Sequence, residues 1–363
     1  MWSGFQSFYT SNKGTSPSGL TIQPGSVTPP INGALIVTAC MGVVGSATSP
    51  TIGSGFTVSD HINFNLSAMA YLVQGTAGAT NPSIAAAIAA ASLTWYTDII
   101  IAWQDAPNLT LLSAEVERRA NAMAHIDARG HFGMTGTFSQ QLAALLAVNE
   151  RFVYASPVTQ PGSAPWVWAA SAGAICAQYL TQDPSRQLNG IAMPGIVGPS
   201  QANALTETEQ EQMLVGGGSV FHTHANGTVE MKRYVSTYTV NAAGNPDMAW
   251  HDVFAQALAA RIRFDWNTYR AALYPRNKQA PDGSLAAAND PSVLTPKRAK
   301  ASWASRMMVY AANGWVINEI ANANAAVFTI DANDPERLNS YLPYQGIGNL
   351  IVDAAQLVTL IGG

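Results

Sequence analysis

Between residues 81 and 193 helical segments and short apolar runs alternate, and this alternation restricts the fold more than any other feature of the chain. Asn81-Pro82-Ser83 leads into IAAAIAAASL, where a proline near the first turn suits a helix start. Thr97–Trp103 is an apolar run of buried-strand length. Asp105-Ala106-Pro107-Asn108 punctuates it, and a helix is expected from Leu109 to Ile126. HFGMTG reads as a strand, Phe138–Asn149 as a helix, RFVYAS (151–156) as a strand and Trp166–Leu180 as an alanine-rich helix. Asn189–Met193 supplies a further candidate strand. Helices interleaved with strands that are apolar throughout, not on alternate residues, predict an α/β unit around a mostly parallel sheet.

The texture differs on either side. Residues 1–60 are rich in Gly, Ser, Thr and Pro, and the only charges before Asp98 are Lys13 and Asp60. One run, Ala34–Val44, reads as a strand with loose connections. The first 30 residues are either a frayed terminus or a segment that orders against a partner. After residue 200, Thr206 with Glu209 three residues on forms a capping box. Asn226-Gly227 lies between alternating stretches and predicts a hairpin of Ser219–His224 with Val229–Thr239. A long helix is expected over Trp250–Tyr269, and another from Thr295-Pro296 to Asn313. Residues 324–361 read as two strands joined by DPERLNSYLPYQGIGN.

Charge excludes several classes. Only 11% of the 363 residues are charged, with a formal net charge of -4, so a surface covered by neighbours suits the chain better than a nucleic-acid interface does. No apolar run approaches the roughly 20 residues of a membrane helix, and the first residues lack a basic region followed by an apolar core. The cytoplasm of the producing cell is the expected place of synthesis, with Cys40 and Cys176 reduced. Nine of the 18 basic residues fall between 261 and 306, against three acids, Asp265, Asp282 and Asp290. They form either two solvated helices or a basic face for an acidic protein partner.

Three patterns imitate chemistry. Gly14-Thr15-Ser16 matches the nucleophile tripeptide of subtilisin-like proteases, but Ser16 precedes every Asp and His, the reverse of the order Asp, His, Ser. His222-x-His224 puts two imidazoles on one strand face, with Glu230 across the hairpin as the only easy further ligand; a polar strand face accounts for it as well. Asp98 and Asp105 stand at strand ends, where loop residues at the C-terminal edge of a parallel sheet often act. Asp105–Asn108 equally makes an Asx turn or helix cap. Gly216–Gly218 lacks the Lys-Ser/Thr of a phosphate loop. No catalytic, cofactor-binding or metal-binding residue is assigned.

Several stretches in fixed order resemble the tail sheath proteins of contractile-tailed bacteriophages, in the Mu-like branch. They are NPSIAAAIAA, YTDIIIAWQDAPNLTLLSAEVERR, PWVWAASAGAICAQYLTQDPSRQLNGIAMPGI, GTVEMKRYVSTYTVNAAGNPDMAWHDVFAQALAARIRFDWNTYRAALYPRNK, LTPKRAKASW and NDPERLNSYLPYQG. The resemblance implies a non-enzymatic structural subunit. It implies an α/β fold: a catalytically inert, subtilisin-like sheath domain over 61–240, possibly completed by 34–44, with a C-terminal α+β domain over 241–348 facing the tail tube. Residues 1–60 would be an extended or shortened N-terminal segment, since sheaths of this branch usually have more chain there, and 349–363 a C-terminal arm.

Implied partners are other sheath subunits in stacked hexameric rings, the tail tube protein, and baseplate and tail terminator proteins, with no cofactor, no direct nucleic acid contact and no membrane insertion. The place implied is the virion tail, assembled in the host cytoplasm. Arg261, Arg263, Arg270, Lys297, Arg298 and Lys300 would face the tube. Leu350, Ile351, Val352, Leu357, Val358 and Leu360 would form a strand donated to a neighbour or a last strand of their own sheet. A contractile bacteriocin or injection particle would use the same subunit. A subtilisin-like serine hydrolase is the enzymatic alternative.

Overall fold

A computed structural model of the protein describes residues 81–160 and 162–351 in full, and residues 35–41, 56–64 and 68–75 by their backbone. The chain divides into two units, Met1–Pro82 and Ser83–Gly363.

In the first unit β1 (Leu35–Met41), β2 (Phe56–Phe64) and β3 (Ala68–Gly75) form an antiparallel sheet in the order β1-β3-β2. β1 is the strand expected over 34–44, and its partner is β3, with Leu35 opposite Gln74 and Met41 opposite Ala68. The sequence reading did not anticipate β2 and β3.

The second unit opens with α1 (Ala85–Ala91), β4 (Asp98–Ile101), α2 (Ala106–Arg119), β5 (Arg129–Met134), α3 (Phe138–Val148), β6 (Val153–Pro157) and α4 (Pro165–Gln182). β4, β5 and β6 form a parallel sheet in sequence order, as the alternation predicts. β5 and β6 are buried on both faces, which is why neither shows a polar residue at every second position. Ile101, Phe132, Met134, Val153 and Ala155 pack with Leu112 and Val116 of α2 and Leu145 of α3. Tyr154 faces the other way, onto Trp168, Ala172 and Cys176 of α4. Contact with α2 and α4 is close because β5 carries glycines. A Cβ on Gly130 would meet Leu112 at 2.9 Å, and one on Gly133 would meet the Pro165 carbonyl oxygen at 1.8 Å.

Helix ends follow local chemistry. Asp105 accepts from the Asn108 amide and caps α2, with a proline in its first turn. Thr137 and Gln140 form a capping box on α3. α2 stops at Arg119, short of the expected Ile126. The Asn121 side chain takes the Met123 amide, and His125 adopts a left-handed φ of 57°, neither compatible with a continuing helix.

Next come β7 (Ile191–Ala192), α5 (Glu207–Val215), β8 (Val220–Thr223) and β9 (Val229–Arg233). Thr206 and Glu209 make the predicted capping box on α5. β8 and β9 form the predicted hairpin, with Gly227 at φ 86° in its turn and β7 on the far side of β9.

α6 (Val253–Leu273) then crosses from one core to another. Val253 and Ala257 belong to the α4-side cluster, whereas Leu258, Ile262 and Trp266 enter a third core with Trp303, Met307, Tyr310 and Phe328. The remaining elements surround that core: β10 (Lys278–Gln279), α7 (Leu285–Asn289), β11 (Val293–Leu294), α8 (Pro296–Ala312), β12 (Val316–Ile317), α9 (Glu319–Ala325), β13 (Val327–Ile330), β14 (Leu338–Tyr341) and β15 (Gln345–Gly346). α8 starts at Thr295-Pro296 as expected. The C-terminal reading needs correction. The partner of β13 is β14, inside the stretch taken for a connection, because Asp331 organises the turn by accepting from the Asn333 and Asp334 amides and the Asn339 side chain. The whole is mixed α/β.

Replacing Gly133 by alanine drives a methyl group into backbone that cannot swing aside. We expect a loss of about 2–3 kcal/mol, read as a lower urea midpoint at unchanged m.

Candidate functional site

Asp98 lies at the N-terminal end of β4, not at the C-terminal edge of the sheet, so the edge argument for chemistry does not apply to it. Its partners come from β5. Arg129 donates from Nε to Oδ1 and from a terminal nitrogen to Oδ2, each at 2.8 Å, and His131 Nε2 lies 2.9 Å from Oδ1. The other imidazole nitrogen, Nδ1, is 2.9 Å from the Tyr234 hydroxyl. Asp98, Arg129, His131 and Tyr234 are all at least nine-tenths buried. Burial by itself would raise the Asp98 carboxyl; the His131 bond and the Arg129 charge outweigh it and hold it far below the usual range. Burial lowers His131 more than Asp98 raises it, so the ring stays neutral. An Asp–His pair imitates half of a hydrolase triad. No residue of the cluster lines the cleft described next; its bonds tie β4, β5 and the segment after β9 together.

That cleft, about 230 Å³, lies at the C-terminal end of β6. Val158, Trp168, Leu205 and Phe221 make it largely apolar, with Thr159 and His222 among its polar lining. Trp168 is wholly buried, and its indole N–H has no acceptor among the described residues. His222 and His224 share a face as expected, their rings 4.5 Å apart, and His224 Nε2 lies 2.9 Å from Glu230. Among the described residues no group of three or more His, Cys, Asp or Glu side chains is placed to hold a metal. Cys176 is buried, which pushes its thiol pKa up. Ser16 and Val352, Leu357, Val358 and Leu360 lie outside the described residues.

The six basic residues expected at a partner surface divide into two groups. Arg263 donates to Asp127 at 2.7 Å and to the Ala120 carbonyl at 2.6 Å, joining α6 to the loop before β5. Arg298 donates to the carbonyls of Ala287, Asp290, Pro291 and Val293, and Lys300 to that of Asn324 at 2.6 Å. Arg261 stands over the Trp315 ring at 5.5 Å. Arg270 and Lys297 make no ion pair among the described residues, and Lys297 is exposed. Leu350 is exposed, and its carbonyl accepts from Gln187, while Asn349 bonds the Gln187 amide and the Ser185 carbonyl. Among the described residues no helix is long and apolar enough to cross a membrane.

Residues 77–237 match the family described as phage tail sheath protein central domain. Over 273 residues the chain is 25% identical to the Mu-like prophage FluMu tail sheath protein of Haemophilus influenzae, covering 72% of this chain and 53% of that one. The chain thus spans about half the length of that curated relative. A chain in the cryo-EM structure of the anti-feeding prophage baseplate superposes with a TM-score of 0.45 at 10% identity, covering 71% of this chain and 66% of the other. The family match and the prophage relative bear out the resemblance to tail sheath proteins drawn from the sequence.

Two outcomes test the buried cluster. Asp98→Ala leaves Arg129 buried without its counter-charge and should cost about 3–5 kcal/mol in chemical unfolding. The unfolded chain protonates histidine near pH 6.5, whereas His131 resists protonation when folded, so stability falls on acidification below that pH. His131→Gln should remove up to about 1.4 kcal/mol per pH unit from that slope. Asp98, with its pKa depressed, adds a loss only below the ordinary carboxylate range.

Proposed function

We propose that the chain is a subunit of a contractile tail sheath, which polymerises around a tail tube and contracts to drive the tube through a host envelope. The observation that carries the reading is the match of residues 77–237 to the sheath central domain, supported by the similarity that continues over 273 residues. On this reading the α/β core is a subtilisin-like scaffold without a working triad, and the protein is not an enzyme. Subunits form six-membered rings stacked helically, with baseplate and terminator proteins at the ends of the stack. The assembly takes place in the host cytoplasm and the product is part of the virion tail.

Physical features favour the scheme. A chain with 11% charged residues suits surfaces that neighbours cover. The hairpin of β13 and β14 leaves main-chain groups at its edges, to which an extended arm can add. Residues 349–363 are the proposed arm, with Leu350, Ile351, Val352, Leu357, Val358 and Leu360 in its strand. Of the six proposed tube-facing residues, Arg270 and Lys297 are the strongest, because the guanidinium or ammonium groups of Arg263, Arg298 and Lys300 are already bonded within the chain. Contraction needs no nucleotide if ring-to-ring contacts differ in free energy between two states.

Negative-stain microscopy of the chain co-expressed with its tube protein is the test. Striated tubes or six-fold rings are expected; monodisperse subunits beside bare tubes would overturn the reading. Reversing Arg270 and Lys297 to glutamate should weaken tube co-sedimentation by about tenfold at low salt and by less at high salt.

A further inference from the structure

We propose that the loop between α1 and β4 is a knob that seats in the Trp168 cleft of a second copy, joining copies head to tail. The proposal rests on the reading that copies polymerise, and it names one contact by which they do so.

The knob is Leu93, 94% exposed, with Tyr96 half exposed beside it. Such exposure usually accompanies a floppy loop, yet this one is tied down on every side. Arg119 donates to the carbonyls of Ala91 and Thr94, Arg118 to that of Ser92, and the Trp95 indole to that of Asp127. The Trp95 ring also rests on Phe264, centroids 5.3 Å apart. Arg119 is itself fully buried and held by Glu115 at 2.7 Å. A large apolar side chain displayed on a pre-ordered loop loses little conformational entropy when it docks, which is what favours rigid anchors at interfaces.

The cleft has the complementary properties. Its 230 Å³ accommodates a leucine side chain with some of its backbone, and Val158, Leu205 and Phe221 offer it apolar walls. The Trp168 ring lines the same cleft. A leucine side chain entering it would exchange water for these apolar walls.

Placement commits the contact to a second copy. The knob precedes the N-terminal end of β4, whereas the cleft follows the C-terminal end of β6 in the same parallel sheet. Knob and cleft therefore lie at opposite ends of one rigid layer, out of each other's reach within a chain. A contact between two different patches is heterologous, and it propagates into a ring or an open helical array instead of closing as a dimer.

Leu93→Arg removes the knob at a position too exposed to affect folding, and Ala204→Trp fills the cleft at an exposed position of its wall. Full-length proteins are compared by sedimentation, with thermal melts to confirm folding and Thr159→Trp as the replacement plug should Ala204→Trp melt early. Each variant alone should raise the concentration needed for assembly at least about tenfold. An equimolar mixture of the two should yield heterodimers, since the free cleft of one accepts the intact knob of the other. Variants that assemble at the wild-type concentration would overturn the contact while leaving the sheath reading standing. A wild type that never assembles, even with its tube protein, would overturn both.

Discussion

The Asp98 carboxylate is the constraint on which the parallel sheet depends. It meets the guanidinium of Arg129 and the imidazole of His131, both buried and both on the neighbouring strand. Water does not reach the Arg129 guanidinium at the start of β5, so the cation is tolerable only while Asp98 stands opposite it in register. A slip of one residue would face these groups with Ile99 and bring each strand's apolar positions to the wrong layer. Tyr234 extends the same line of bonds to the segment after β9, so the hairpin sheet is indexed to the parallel sheet by polar contact as well as by packing.

Polar side chains act similarly elsewhere in the second unit, spent on closing backbone. Arg298 gathers four carbonyls around the short turn that ends α7, and Lys300 takes the Asn324 carbonyl near the end of α9. Arg118 and Arg119 do the same beyond α1.

Local signals were legible in the sequence. The capping box of Thr206 and Glu209, the Asn226-Gly227 turn, the Thr295-Pro296 helix start and the α/β alternation all act over a few residues, and each appears in the structure. Long-range partners were not legible. The residues that satisfy Asp98 are 31 and 33 positions away, so the sequence around Asp98 held no sign of them. β14 was missed because LNSY is polar, and its strand form is imposed by the Asp331 turn and by pairing with β13. The basic run between 261 and 306 read either as two solvated helices or as a basic face for a partner, and charge counted along a chain does not say which side chains turn inward to bond carbonyls. The sheath resemblance came from the order of many weak stretches, none of which carries chemistry.

α6 has a mechanical consequence. Its 21 residues make a rod about 30 Å long whose first turns are embedded in one core and whose later turns are embedded in another, with Arg263 in the later stretch bonded to Asp127. A twist applied at either end is carried along a continuous, hydrogen-bonded shaft instead of being absorbed by a flexible joint. The two cores are thus joined by one continuous element, so a displacement of either is felt by the other.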